Sequence, residues 1–155
     1  RTLAPGVDLV VAGQQADAAV TAEVLAGGAR WLGYLPDDRL RALLSGAIAL
    51  LDPTPHAGNS IGVLEAMACG APPVVAAGSA GGEVIGNAGV LVDAGDVESW
   101  AAAITYLARE TEERNRMAAR GLRAMSEFRA EGAARRLVEA LGAGAPAGRP
   151  APGGG

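Results

Sequence analysis

Residues 56–70 read HAGNSIGVLEAMACG, and this segment decides the fold of the chain because it changes from a loop into a helix. Gly58, Asn59 and Ser60 come first, and the carboxylate of Glu65 follows about one turn inside the predicted helix. The first turn of a helix leaves backbone N–H groups without partners at the positive end of the helix dipole, where anions are stabilised. The segment therefore predicts a site for an anion such as a nucleotide diphosphate.

Short apolar runs alternate with helical patterns on both sides of this segment. Runs rich in Val that end at turn residues are typical of strands buried on both faces of a parallel sheet. The predicted strands are 7–12, 29–32, 47–51, 73–77 and 90–92, and the predicted helices are 17–26, 36–45, 61–69, 96–107, 111–128 and 131–141. The alternation predicts an α/β fold with a Rossmann-like, mostly parallel sheet and flanking helices, whose ligands bind beyond the carboxyl ends of the strands.

The length of the chain predicts a single domain with a tail. At 155 residues, half of them hydrophobic, the chain is long enough to form one packed core. We predict a domain over residues 1–141. Residues 142–155 contain only Gly, Ala, Pro and one Arg, and this composition predicts a disordered tail. Within the domain, residues 78–82 are predicted to be a flexible loop, and residues 83–85 one helical turn.

Composition excludes several classes of function. A net charge of −4 argues against a nucleic-acid partner, which normally meets a basic patch or stripe. The single cysteine, Cys69, excludes an internal disulfide and a multi-cysteine metal site, and no other metal or cofactor site is predicted. No apolar run approaches the roughly 18 residues of a membrane span, and no signal-peptide pattern is visible, so we expect a cytoplasmic protein.

The loop-to-helix junction has two interpretations from its residues alone. If Asn59 or Ser60 is the N-cap, its side chain accepts one N–H and leaves that of Ile61 and its neighbours for a ligand. Glu65 leans toward the same end of the helix, but a diphosphate would repel its carboxylate, which therefore suits sugar hydroxyls such as a ribose diol. The alternative is an ordinary capped turn in which Glu65 only complements the dipole.

The order of five segments extends the functional interpretation. These segments are PTP at 53–55, VLEAMACGAPPVV at 63–75, WLGYLPDDRL at 31–40, GGEVI at 81–85 and AGVLVDAGD at 88–96. Together with Gly58 they resemble the nucleotide-sugar-binding, C-terminal half of retaining GT-B glycosyltransferases, the glycogen-synthase-like and mannosyltransferase-like group. The resemblance covers about residues 7–140. It implies a hexose transferred from a GDP- or UDP-linked sugar to an unknown acceptor with retention of configuration.

The resemblance also implies roles for individual residues. The diphosphate would be held by Gly58, Asn59, Ser60 and Ile61, the ribose by Glu65, the base by Tyr34 and Leu35, and the sugar by His56. For His56 the alternative is a loop histidine without a function, and for Tyr34 and Leu35 a purely structural role. Glu83 matches a family position, although it would equally suit a cap of the turn that follows.

The chain departs from the family pattern at three places. The first of the family's two glutamates falls on Ala57, so no catalytic residue is assigned. A strand with an Arg and a Lys that neutralise the diphosphate would precede Arg1, and so would an acceptor-binding domain. We therefore expect a truncated domain that is inactive alone. The alternatives are a non-catalytic nucleotide-sugar-binding module, and a generic doubly wound domain with some other phosphate ligand.

Overall fold

The computed structural model describes residues 6–14, 17–55 and 60–127, in which strands and helices alternate as the sequence predicts. The elements are β1 (Val10–Ala12), α1 (Ala18–Ala26), β2 (Arg30–Gly33), α2 (Asp37–Gly46), β3 (Leu50–Asp52), α3 (Ile61–Ala68), β4 (Pro73–Ala76), α4 (Ala80–Ile85), β5 (Val90–Val92), α5 (Val97–Arg109) and α6 (Thr111–Glu127). Residues 56–59, the predicted helix 131–141 and the predicted tail 142–155 lie outside the described residues.

The strands form parallel pairs that are divided between two sheets. β1 pairs with β2, and β4 lies between β3 and β5 in a three-stranded sheet. Each pair is joined through a helix, namely α1, α3 or α4, because parallel neighbours need a crossover connection. The parallel arrangement confirms the predicted α/β fold. The single sheet that the sequence suggests is interrupted, since no described strand lies between β1 and β3.

The central strand β4 positions the core. All four of its residues are buried, and successive side chains point to opposite faces of the sheet. Val75 packs with Val63 and Met67 of α3, whereas Val74 packs on the other face with Leu107 of α5. Helices therefore cover both faces of the strand, which explains why the run 73–76 is apolar without alternation.

Several boundaries differ from the prediction. β1 begins at Val10 rather than Val7, and β3 at Leu50 rather than Ala47, because the backbone pairs with a neighbouring strand only from there on. The prediction of a flexible loop over 78–82 was wrong from Ala80 onward, since α4 begins there. The glycines at 81–82 lower the helix propensity of this segment, and the close packing of Gly81 against α3 and β4 compensates for it.

Ser79 is the residue that starts α4. Its buried hydroxyl accepts the Gly82 N–H at 3.2 Å and donates to the Ala76 carbonyl at 2.6 Å. The change Ser79→Ala is expected to lower the free energy of unfolding by about 1–2 kcal/mol, since it removes the cap and the buried hydrogen bond from the hydroxyl to the Ala76 carbonyl. Urea titration measures the loss. The matched change Ser126→Ala, which removes an exposed hydroxyl bonded to the Arg123 carbonyl, should have little effect, and an equal loss for both would contradict the assigned role.

The predicted cap of α5 at Asp96 is confirmed. Its carboxylate accepts the N–H groups of Glu98 and Ser99, both at 3.1 Å. A further hydrogen bond from the Ser99 hydroxyl lowers the pKa of Asp96, so the cap stays ionised at neutral pH. In the ranges that the structure describes, no helix combines the length and apolar character that crossing a membrane requires.

Candidate functional site

The candidate site is the N-terminus of α3, the helix that follows β3 in the chain. The first intrahelical hydrogen bond runs from the Leu64 N–H to the Ser60 carbonyl, at 3.1 Å. The N–H groups of Ile61, Gly62 and Val63 come before it and have no acceptor within the helix. Ile61 is 54% exposed and Gly62 is also exposed, so this end of the helix is open to a ligand.

Ser60 occupies the N-cap position of α3 but does not cap the helix. Its side chain makes no capping hydrogen bond, and its backbone, at φ −87° and ψ 43°, is not in the extended conformation typical of N-caps. The expectation that the Ser60 side chain accepts an N–H of its own helix is therefore wrong. The first-turn N–H groups remain available, whereas Asn59, the other proposed cap, lies outside the described residues.

The Ser60 hydroxyl is instead buried against α4. Ser60 is only 8% exposed, and its Oγ makes no hydrogen bond within the described part of the chain. A Cβ built on Gly81 would lie 3.3 Å from this Oγ. A buried hydroxyl without a partner costs about 1–3 kcal/mol and calls for an explanation in a native structure.

Gly81 lets α4 approach α3 and β4 closely. The same added Cβ would lie 3.3 Å from a methyl group of Val63 and 3.5 Å from one of Val75. The helix therefore contains glycine here because the neighbouring side chains fill the space. The sequence analysis did not predict this close packing, and it did not predict that the Ser60 hydroxyl is buried. The adjacent glycines at 81–82 were the available signal, because they disfavour a helix unless another element packs closely against it.

Glu65 lies one turn into α3, as predicted. It is exposed, and it lines a cavity of about 650 Å³ together with Gly62 of the same helix. The structure thus places Ser60, Ile61 and Glu65 along one end of α3. It does not test the ribose role of Glu65, which stays a prediction.

The residues proposed to bind the base, Tyr34 and Leu35, follow β2 in the chain. Tyr34 is 73% exposed, and Leu35 is half-buried. The cavity that Glu65 lines contains neither of them. Glu83 is exposed in the first turn of α4, where an acid also complements the helix dipole, so both of its interpretations stay open.

Three of the proposed contacts, His56, Gly58 and Asn59, lie outside the described residues. The assignment of His56 to the sugar, and of Gly58 and Asn59 to the diphosphate, therefore stays a prediction. Among the residues that the structure describes, no group of three or more His, Cys, Asp or Glu side chains could hold a metal ion.

Solved structures define the class of this fold. HepE from Anabaena, solved with UDP and glucose, matches with a TM-score of 0.75 at 19% identity, covering 91% of this chain and 42% of HepE. Sucrose-phosphate synthase from Thermosynechococcus elongatus matches with a TM-score of 0.73 at 18% identity, covering 89% of this chain and 39% of that one. The fold is the Rossmann-like fold of GT-B glycosyltransferases.

The sequence narrows this class to a family. The model of the family described as "Glycosyl transferases group 1" matches residues 1–110. O-antigen chain mannosyltransferase B from Escherichia coli is 33% identical over 114 residues, which are 74% of this chain and 30% of that protein. The chain belongs to the group 1 glycosyltransferase family, which confirms the resemblance, and it spans less than a third of this relative's length.

Proposed function

We propose that this chain is the donor-binding part of a glycosyltransferase that transfers a hexose from a nucleotide-diphosphate sugar to an acceptor, with retention of configuration. One observation carries the proposal. The open first turn of α3 offers the N–H groups of Ile61, Gly62 and Val63 beside the buried hydroxyl of Ser60, which has no partner among the described residues. This is a set of donors suited to an anion, and the Ser60 side chain does not compete for them.

The chemistry of sugar transfer makes use of such donors. The bond that breaks joins the anomeric carbon to a diphosphate oxygen, and the departing diphosphate gains negative charge. N–H groups that already point at this oxygen stabilise the charge without reorganising during the reaction. We assign the diphosphate to residues 58–61, with Gly62 and Val63 contributing their N–H groups. Glu65 is assigned to the ribose hydroxyls, Tyr34 and Leu35 to the base, and His56 to the sugar.

The relatives support the type of donor. HepE was solved with UDP-glucose, with UDP and glucose, and with UDP, and the Escherichia coli relative is a mannosyltransferase. We therefore propose a hexose linked to UDP or GDP. The acceptor is proposed to bind on polypeptide outside residues 1–155, and residues 1–155 alone are proposed to be inactive in transfer.

A second candidate function is a nucleotide-sugar-binding module that does not catalyse transfer. Ala57 favours it, because the resemblance places a glutamate at this position near the reacting carbon of the sugar. A methyl group at position 57 neither accepts a hydrogen bond from the sugar nor stabilises positive charge at the anomeric carbon. Both candidates require the donor to bind at α3, and they differ only in turnover.

Calorimetric titration of residues 1–155 tests donor binding. UDP, GDP, UDP-glucose, GDP-mannose and pyrophosphate are added in turn, and at least one nucleotide is expected to bind with a Kd of about 1 mM or tighter. No heat from any of them at about 10 mM would refute both candidates. Release of free UDP or GDP by the complete protein in the presence of acceptor then separates the enzyme from the binding module.

The change Glu65→Ala tests the ribose assignment. It is expected to weaken UDP or GDP about tenfold, since hydrogen bonds to a charged acceptor contribute about 1.5–3 kcal/mol. Pyrophosphate has no ribose, so its affinity should stay the same or rise as a nearby negative charge is removed. The matched change is Glu23→Ala, at an exposed glutamate on α1, which should alter neither affinity. An equal loss for nucleotide and pyrophosphate would exclude the ribose role.

A further inference from the structure

The Ser60 side chain lies in a recess of α4 that exists because residue 81 is glycine. A Cβ built on Gly81 would lie 3.3 Å from the Ser60 Oγ and 3.5 Å from a methyl group of Val75. The first of these distances is tighter than side chains normally accept, so the hydroxyl would have to give way to an added methyl group. The position of the Ser60 side chain therefore depends on the missing side chain of Gly81.

The wall of this recess is fixed because both ends of α4 are anchored. At its start, the Ser79 hydroxyl donates to the Ala76 carbonyl at 2.6 Å. At its end, Ile85 is buried in one core cluster with Val63 of α3. A substitution that fills the recess therefore displaces the Ser60 side chain rather than the helix α4.

Ser60 stands at a position where a serine normally caps the helix that follows. An N-cap hydroxyl accepts the N–H of the second or third helical residue, here Gly62 or Val63. These are two of the N–H groups to which we assign the diphosphate. In the structure the Ser60 side chain makes no such hydrogen bond and is only 8% exposed. The recess therefore holds a hydroxyl that would otherwise compete with the ligand.

We propose that Gly81 is a positioning residue of the donor site, an inference that rests on the proposed function. By leaving room for the Ser60 hydroxyl, it keeps this hydroxyl away from the first turn of α3, where the N–H groups stay free for the diphosphate. The arrangement has a cost, because the buried Oγ has no partner among the described residues. A hydroxyl in this state gains a hydrogen bond by turning to its own helix once the recess is filled.

Filling the recess tests this role. The change Gly81→Ala is expected to weaken pyrophosphate binding about fivefold, because the anion must then displace a capping hydrogen bond. Pyrophosphate is the probe because it has neither ribose nor base, so calorimetry reports on the anion contacts alone. Removing the hydroxyl as well, in Gly81→Ala/Ser60→Ala, should restore the affinity, since alanine does not cap. Ser60→Ala alone should bind pyrophosphate like the unmodified chain.

The change Ser60→Asn tests the same recess from the other side. Asparagine is longer than serine and a strong N-cap, so it is expected to leave the recess, cap α3 and weaken pyrophosphate binding at least about fivefold. This variant decides the question if Gly81→Ala does not fold.

The matched control is Gly121→Ala, at a buried glycine of α6. A Cβ there would lie 3.4 Å from the Met67 Cβ, so the control crowds α3 away from its first turn. It should leave the affinity for pyrophosphate unchanged, whatever its effect on stability in urea titration.

The possible results separate this role from the proposed function. If the unmodified chain binds neither pyrophosphate nor a nucleotide, the proposed function fails, and the role of Gly81 fails with it. If the unmodified chain binds, and Gly81→Ala binds as well as Gly121→Ala, the donor site stands and only the role of Gly81 is refuted. A loss that persists in the double variant means that the alanine distorts α3 directly. A loss in Ser60→Ala alone means that the hydroxyl itself contacts the anion, and either of these two results overturns the proposal.

Discussion

Replacing Gly89 with alanine is expected to destabilise the chain by about 3 kcal/mol or more, because the added carbon has no space. A Cβ at this position would lie 2.3 Å from the carbonyl oxygen of Pro73 and 2.9 Å from its ring. Gly89 directly precedes β5 and faces the start of β4, where Val74 is paired with Val90. The obstacle is backbone on a central strand, so the clash separates two paired strands rather than moving a flexible side chain.

Chemical denaturation of Gly89→Ala measures this loss, and Gly46→Ala is its matched control. Gly46 is the last residue of α2, and a Cβ there would meet nothing within 4 Å. Alanine is favoured over glycine in a helix, so the control should be unchanged or gain up to about 1 kcal/mol. A Gly89→Ala protein as stable as the control would show that β4 and β5 are further apart than the structure places them.

The elements of the fold were predictable wherever a local signal marks them. Asp17 and Asp96 accept N–H groups at the starts of α1 and α5, and β5 spans the predicted residues. Capping side chains and Val-rich runs act within a few residues, so they are visible in the sequence. The loop prediction at 78–82 failed because the deciding interaction there is tertiary packing rather than a local signal. Whether a helix can contain adjacent glycines here depends on its packing against Val63, which belongs to another helix, and against Val75 of β4.

The site was predictable in position but not in detail. The sequence located the helix start and Glu65, since both lie in one segment of eight residues. It did not indicate that the Ser60 side chain is buried beside Gly81 rather than capping its own helix, because this proximity depends on how α3 and α4 pack against each other. The interruption between β1 and β3 was also hidden, since pairing between strands is a property of the assembled sheet.

Gly62 connects the fold with the proposed donor site. It is the second residue of α3 and is exposed, and a Cβ there would meet nothing within 4 Å. A helix gains stability when such a glycine is replaced, so the fold alone gives no reason for glycine. A ligand that approaches the first-turn N–H groups does give one, because a side chain would occupy the same space.

The change Gly62→Leu is therefore expected to leave the chain as stable as before or slightly more stable, and to weaken nucleotide binding at least about 30-fold. The leucine side chain leans toward the N-terminus of its helix and covers the N–H groups that would hold the diphosphate. Because the loss concerns the anion, the affinity for pyrophosphate should fall as much as the affinity for UDP or GDP, unlike in Glu65→Ala.

Calorimetry measures the binding affinity and urea titration the stability, both on the same samples. The matched change Ala22→Leu, at an exposed position of α1, should leave nucleotide affinity unchanged. If Gly62→Leu is stable and still binds UDP, GDP and pyrophosphate like the unmodified chain, the diphosphate does not bind at α3. The donor site must then be sought elsewhere along the carboxyl ends of the strands.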